Sequence, residues 1–187
     1  MLKKNVKEEK AIVLDFLPHG YPFDTQPMYK KTAIAQAIGE NYFVLLELVP
    51  KKGVFLQPLE EVYIGDEKRD KIHHVIGKIG MDKLTETAKI EVIDVIKDMI
   101  RKDEKRFVDF FNKAQPINAR RHQIELLPGI GKRYMWDIIE KREEKEFESF
   151  EELKSRIKLM PDPEKAVIKR IVKELNNEDK YKLFVEV

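Results

Sequence analysis

The run Leu126-Leu127-Pro128-Gly129-Ile130-Gly131-Lys132-Arg133 constrains the fold more than any other part of the chain. Two glycines flank one isoleucine, so the backbone can reverse tightly where a side chain would clash or where a left-handed conformation is needed. Apolar residues at helical spacing lie on both sides, and Pro128 helps to end the helix expected before it. The next helix is then expected to begin near Gly131 and Lys132. Its first amides have no intrahelical acceptor, point outward and favour an anion. Lys132 and Arg133 add two positive charges at the same point. Ile130 is expected to turn inward and set the angle between the helices, with Leu126, Leu127, Met135, Ile138 and Ile139 supplying apolar surface and Trp136 packing there too. The plain alternative is a helix-ending turn followed by a surface Lys-Arg pair.

Charge clustering around this turn is local. The 187 residues carry a net charge of only +2, which gives weak support for a polyanionic partner taken over the whole chain. Between Arg101 and Arg133, however, nine Lys/Arg face four Asp/Glu, whereas Glu140 to Glu152 holds seven acidic and three basic residues. A nucleic-acid face is therefore confined to the hairpin side. There are no cysteines, which removes disulfides, thiolate metal sites and cysteine nucleophiles. The lysine-rich N-terminus lacks a signal-like apolar core, and Phe43 to Val49 is too short to span a bilayer and is broken by Glu47. A soluble cytoplasmic protein with no membrane partner is expected.

The first part of the chain has β character. Ala11 to Leu17, Tyr42 to Pro50 and Val54 to Tyr63 are short, rich in Val, Leu, Ile or aromatics, and separated by Pro/Gly turns. Lys51-Lys52-Gly53 reads as a hairpin turn, and Ile72 to Ile79 as a further strand. Ile38-Gly39 reads as a turn, and Pro18 to Pro27 brackets a long irregular connection. About five strands fit a small curled barrel, whose loops can bind single strands through aromatic stacking and nearby lysines. Tyr21, Phe23, Tyr29, Tyr42, Phe43 and Tyr63 are candidate stacking residues, each with core packing as its alternative.

From Leu84 the pattern becomes helical. Thr85-Glu86-Thr87-Ala88 reads as a cap followed by Ile90, Ile93 and Ile96 or Ile100, and a second helix holds Phe107, Val108, Phe110 and Phe111. Ala119 to Leu127 is expected to form the first helix of the hairpin and Tyr134 to Lys145 the second. Ser149 with Glu152 three residues on forms a capping-box pattern. Leu153, Ile157 and Leu159 lead to a second turn at Met160-Pro161-Asp162-Pro163, followed by a helix over Ala166 to Leu175. That turn lacks glycine, and Asp162 opposes a phosphate, so its role is structural. The expected architecture is α+β: an oligonucleotide-binding (OB)-like small β-barrel over 1–82, and a helical domain over 83–180. The latter carries the glycine turn at 126–133 and a degenerate second hairpin at 159–163. A terminal strand over 181–187 closes the chain.

Ile117-Asn118-Ala119-Arg120-Arg121 through the glycine turn, then Phe147-Glu148-Ser149-Phe150-Glu151-Glu152-Leu153, resembles the tandem helix-hairpin-helix domains of DNA-uptake and repair proteins. Such domains grip duplex backbone without sequence preference. The resemblance implies phosphate contacts from Gly129, Gly131, Lys132 and Arg133. The whole chain also resembles an archaeal family of unknown function, domain of unknown function 655. That likeness runs through Phe16-Leu17-Pro18-His19-Gly20, Val62-Tyr63-Ile64-Gly65, Arg69-Asp70-Lys71-Ile72, Phe110-Phe111-Asn112 and the glycine turn. It implies an OB-like module ahead of a helix-hairpin-helix region and carries no reaction.

The expected function is non-enzymatic nucleic-acid binding through Gly129, Ile130, Gly131, Lys132 and Arg133, with Arg120 and Arg121 extending the patch. DNA is the first choice of partner and RNA the nearest alternative. A protein-interaction scaffold is the reading from another class, on the strength of the acidic run and modest net charge. No catalytic residue, metal site or cofactor is assigned. His73-His74 are adjacent on an expected strand and should face opposite ways. Asp15, Asp24, Glu47, Glu60, Glu61 and Asp66 show no spacing that selects a metal-binding pair. Gly77-Lys78-Ile79-Gly80 lacks the spacing of a phosphate-binding loop.

Overall fold

Five short strands make a curled antiparallel sheet in the order β4-β1-β2-β3-β5, with β1 Lys10–Leu17, β2 Ile34–Gly39, β3 Leu45–Pro50, β4 Glu61–Tyr63 and β5 Ile72–Lys78. The structure, a computed structural model, describes residues 7–186. Helices α1 Glu86–Lys102, α2 Glu104–Lys113, α3 Lys132–Glu144, α4 Phe150–Arg156 and α5 Pro163–Leu175 follow, with a two-stranded hairpin of β6 Pro116–Asn118 and β7 Arg121–His122 between α2 and α3. The chain divides into two compact units, one running to Val95 and resuming at Leu175, the other Ile96–Glu174. The division falls inside α1, beyond the 82/83 position expected from the sequence.

In the first unit the alternation of the strands builds one buried face. Val13 pairs with Ala37 and Ala37 with Leu46, while Ala35 pairs with Leu48, which pairs with Val75. Ala11, Leu56, Val62, Ile64 and Ile72 complete this core. Strand β2, not expected from the sequence, ends at the Ile38-Gly39 pair, and the chain turns just beyond it. Its sequence, Ile-Ala-Gln-Ala-Ile-Gly, is poor in strand-forming residues, yet small alanines suit a strand packed on both faces. The turn from β2 to β3 runs over Glu40 to Tyr42, directly after Gly39. It is held by the Glu8 carboxylate, which accepts from the Asn41 and Tyr42 amides at 2.9 and 2.7 Å. Lys51 to Val54 does turn, with the Val54 amide donating to the Lys51 carbonyl at 3.0 Å, but β3 pairs with β5 rather than with the strand that comes next.

The other face carries a polar row, Asp15, Gln36 and Glu47, aligned across β1, β2 and β3. Gln36 is fully buried, and both its amide nitrogen and its oxygen are hydrogen-bonded. Its Nε2 donates to the Tyr21 hydroxyl and the Lys83 carbonyl at 2.9 Å each, and its Oε1 accepts from the Thr85 amide at 2.8 Å. Tyr21 donates to Glu47; burial first, and this carboxylate second, push its pKa up to about 12. Thr85 donates to Asp15 at 2.6 Å and caps α1 by accepting from the Ala88 amide at 3.1 Å. This row fixes where α1 begins.

Three other expectations are corrected. On α1 the buried stripe is Ala88, Val92, Val95, Ile96, Met99 and Ile100, while Ile90 and Ile93 are exposed. The terminal strand does not form over residues 182–186, where the Glu186 amide donates to Tyr42 at 3.3 Å without a ladder; Val187 lies outside the described residues. The two histidines of β5 do not point apart. The register steps from Val49–His74 to Pro50–Ile72, and this irregularity accompanies a 2.8 Å approach of the two Nδ1 atoms.

Replacing Gln36 by Ala leaves the Thr85 amide and Lys83 carbonyl without their partner. A loss of about 1–3 kcal/mol is expected in urea unfolding with an unchanged m value; a loss below about 0.5 kcal/mol would contradict this role.

Candidate nucleic-acid interface

The segment entering the glycine turn departs from the helix expected there. Instead of a helix over Ala119 to Leu127, the chain forms the β6–β7 hairpin and one 3-10 turn, Gln123–Leu126. Local side chains divert the backbone. Asn118 accepts from the Arg120 amide at 2.9 Å, and Gln123 accepts from the Gln115 amide at 2.7 Å. His122 and Glu125 form a reciprocal cap: His122 Nδ1 accepts from the Ile124 amide at 3.1 Å, and Glu125 accepts from the His122 amide at 2.8 Å. An acceptor Nδ1 requires the neutral imidazole, and burial, aided by the Arg142 charge, holds the His122 pKa below its ordinary value.

The turn then splits the roles of its two glycines. Gly129 sits at φ +84, a left-handed conformation that costs other residues about 1–2 kcal/mol. Gly131 has φ −87 and ψ −177, extended backbone that any residue adopts, and a side-chain carbon built there meets nothing within 4 Å. The fold itself asks for glycine at 129 only. Ile130 points inward and is buried, as are Leu126, Leu127, Met135 and Ile138. Gly131, Lys132 and Arg133 are exposed.

Helix α3 starts at Lys132 with no side-chain cap, its first bond running from the Met135 amide to the Gly131 carbonyl at 3.0 Å. The amides of Lys132, Arg133 and Tyr134 therefore have no intrahelical acceptor. The second turn repeats the geometry with different chemistry. Leu159 takes the left-handed position, φ +60, and the Met160 amide returns to Ile157 as the Ile130 amide returns to Leu127. There Asp162 caps α5, accepting from the Lys165 amide at 3.1 Å. The two turns adjoin: a carbon added at Gly129 would stand 3.7 Å from Pro161, and the Tyr134 hydroxyl donates to the Leu159 carbonyl at 2.7 Å.

Arg170 of α5 anchors this arrangement, and it carried no signal in the sequence beyond a charged residue within an amphipathic helix. It is 2% exposed, pairs with the equally buried Glu174 at 2.7 Å, and donates from Nη1 to the Leu126 carbonyl at 3.2 Å. A buried cation thus holds the residue that leads into the turn.

Trp136, expected in the apolar interior, is 63% exposed. It lines an open cleft of about 370 Å³ between α3 and the β6–β7 hairpin, together with Arg120, Arg121, Lys132 and Arg142. Arg142 Nη1 is fixed by the Phe111 and Ala114 carbonyls at 3.0 and 2.9 Å. The structure therefore gathers Arg120, Arg121 and Lys132 around one cleft.

In the first unit a second groove, about 510 Å³, is lined by Lys31, Lys51, Lys52, Phe55, His73 and His74 among others. Phe55 is 72% exposed and rests edge-on against Phe16 at 5.3 Å. It was not among the expected stacking residues; of those, Phe43 is buried, whereas Phe23 and Tyr29 are exposed. Among the described residues no cluster of three His, Asp or Glu is arranged to hold a metal, and no helix is long and apolar enough to cross a membrane.

These features define a mixed α/β protein in which a curled antiparallel sheet is joined to a set of helices presenting an open glycine turn. The chain belongs to the protein family of unknown function DUF655, whose model matches residues 7–186. The uncharacterized protein MJ0038 of Methanocaldococcus jannaschii is 47% identical over 181 residues, covering 96% of this chain and 80% of that protein. The crystal structure of Af1531 from Archaeoglobus fulgidus, described under the same family, matches with a TM-score of 0.86 at 44% identity. That match covers 96% of this chain and all of the other.

Removing one member of a buried ion pair leaves the other charge buried without that counterion. Arg170→Met is expected to cost about 3–5 kcal/mol in chemical unfolding, with Arg170→Met/Glu174→Leu recovering at least about 2 kcal/mol of it. Equal losses in the single and double variants would contradict the pairing.

Proposed function

We propose that this is a non-enzymatic nucleic-acid-binding protein that grips the backbone of duplex DNA, without sequence preference, at a helix-hairpin-helix turn. The observation that carries the reading is Gly131. Its conformation does not require glycine and the space beside it is open, which suits close approach of a ligand to the backbone. Uncapped amides at the start of α3, with exposed Lys132 and Arg133, supply donors and charge at that point. In this reading the 3-10 turn Gln123–Leu126 stands in for a short first helix, and the Asp162-capped turn is the structural half of the tandem. Arg120 and Arg121 extend the cationic surface toward the β6–β7 hairpin. The curled sheet is read as an OB-like module.

RNA is the second reading, and the groove in which exposed Phe55 lies among lysines is compatible with it. An aromatic platform with nearby cations suits unstacked bases of either nucleic acid.

Duplex affinity measured across a salt series, with the wild type beside Lys132→Ala/Arg133→Ala, tests the grip. Losing two phosphate contacts should weaken binding and lower the log–log salt slope by about 2. Gly131→Ser should keep or slightly raise the melting temperature, because serine caps better than glycine, while weakening binding as its hydroxyl occupies a first-turn amide. Unchanged affinity in both variants would remove the proposed site.

A further inference from the structure

The cleft beside the turn shares Lys132, Arg120 and Arg121 with the backbone grip but has an aromatic wall that the grip does not use. One wall is a single stripe of α3, in which Lys132, Met135, Trp136, Ile139 and Arg142 succeed one another at helical spacing; the other is the β6–β7 hairpin with Arg120 and Arg121. On that stripe Met135 is buried, and the indole two-thirds exposed beside it is the widest apolar surface offered to solvent. Placing the largest apolar side chain outward gains nothing for the core. Around the indole stand three guanidinium groups and one ammonium. The carboxylate in the lining, Glu125, is already engaged by the His122 amide.

We infer that this cleft receives one unstacked base of a single-stranded segment adjoining the duplex, stacked on Trp136, with its phosphates met by Arg120, Arg121 and Lys132. The inference rests on the proposed backbone grip and adds to it a preference for duplex ends or junctions over continuous duplex. Three physical points favour this occupant. A nucleotide combines a flat apolar face with anionic edges, the complement of an indole ringed by cations. Lys132 belongs both to the turn and to the cleft lining, so a strand held at the turn is delivered to the cleft. A cleft of about 370 Å³ has room for a base with its sugar. Arg142, pinned by two backbone carbonyls, gives the cleft a fixed cationic floor.

Trp136 is the chain's single tryptophan, so its emission reports on the cleft alone. The full-length protein is titrated with a blunt DNA duplex and with the same duplex bearing a single-stranded extension, reading affinity and emission together. The extended duplex is expected to quench the emission and to bind about tenfold more tightly, the scale of one base–aromatic stack. Trp136→Ala should abolish that preference while leaving blunt-duplex affinity within about twofold, and Trp136→Phe should restore part of it. The indole is exposed, so both variants should melt like the wild type, and melting curves check this. Equal affinity for the two duplexes with unmoved emission would overturn the cleft and leave the grip standing. Quenching by the extension together with blunt-duplex affinity untouched by Lys132→Ala/Arg133→Ala would overturn the grip and retain a base-stacking cleft. Absence of binding to either duplex at low salt would overturn both.

Discussion

The second compact unit turns on a charge placed where charge is costly. Arg170 lies in the interior beside Glu174 and reaches the Leu126 carbonyl. A buried guanidinium is tolerated when a carboxylate neutralises it and its donors find acceptors. Here one of those acceptors is the backbone at the entrance to the glycine turn. The apolar residues on either side, Ile124, Leu127 and Ile130, pack in any compact arrangement, but a directional bond to Leu126 specifies which one. The turn is consequently held by α5 from behind, while Tyr134 and Pro161 hold it from the side. Its solvent face is left without a cap. Rigidity behind and unsatisfied donors in front are what a preorganised anion site requires.

The two turns of this unit make a controlled comparison within one chain. Both place a residue in the left-handed region and both return an amide to the residue three before it. They differ at the start of the next helix. After Gly131 the helix starts bare, with lysine and arginine; after Pro161 it is capped by Asp162, whose carboxylate consumes an amide and adds negative charge. Backbone geometry is thus shared and electrostatics is not. The asymmetry supports one turn as the functional half and the other as its packing partner.

Much of this was legible from residue pattern, and the misses have identifiable causes. Strands β1, β3 and β5 alternate or are rich in branched residues, and helices α2 to α5 show caps or apolar spacing, so their local preferences agree with the tertiary result. Strand β2 escaped because alanine and glycine are weak strand formers and its turn is satisfied by Glu8, more than thirty positions away in the chain. The helix expected before the glycine turn was diverted by Asn118, His122 and Glu125, whose side chains bond neighbouring backbone and displace helical hydrogen bonds locally. At the candidate site the turn, its charges and inward-facing Ile130 were readable. The outward face of Trp136 was not, because apolar size alone suggests burial. Nor was Arg170, because its partner carbonyl belongs to a segment far off in sequence.

The central claim is that bare amides of the first turn hold a phosphate and those of the second do not. Amide chemical shifts of the nitrogen-15-labelled protein, followed while duplex DNA is added, test it residue by residue. The account predicts that Gly131, Lys132 and Arg133 shift in a saturable, salt-sensitive way while Glu164, Lys165 and Ala166 stay in place. Shifts at the second turn with none at the first, or binding that leaves both unmoved, would contradict it.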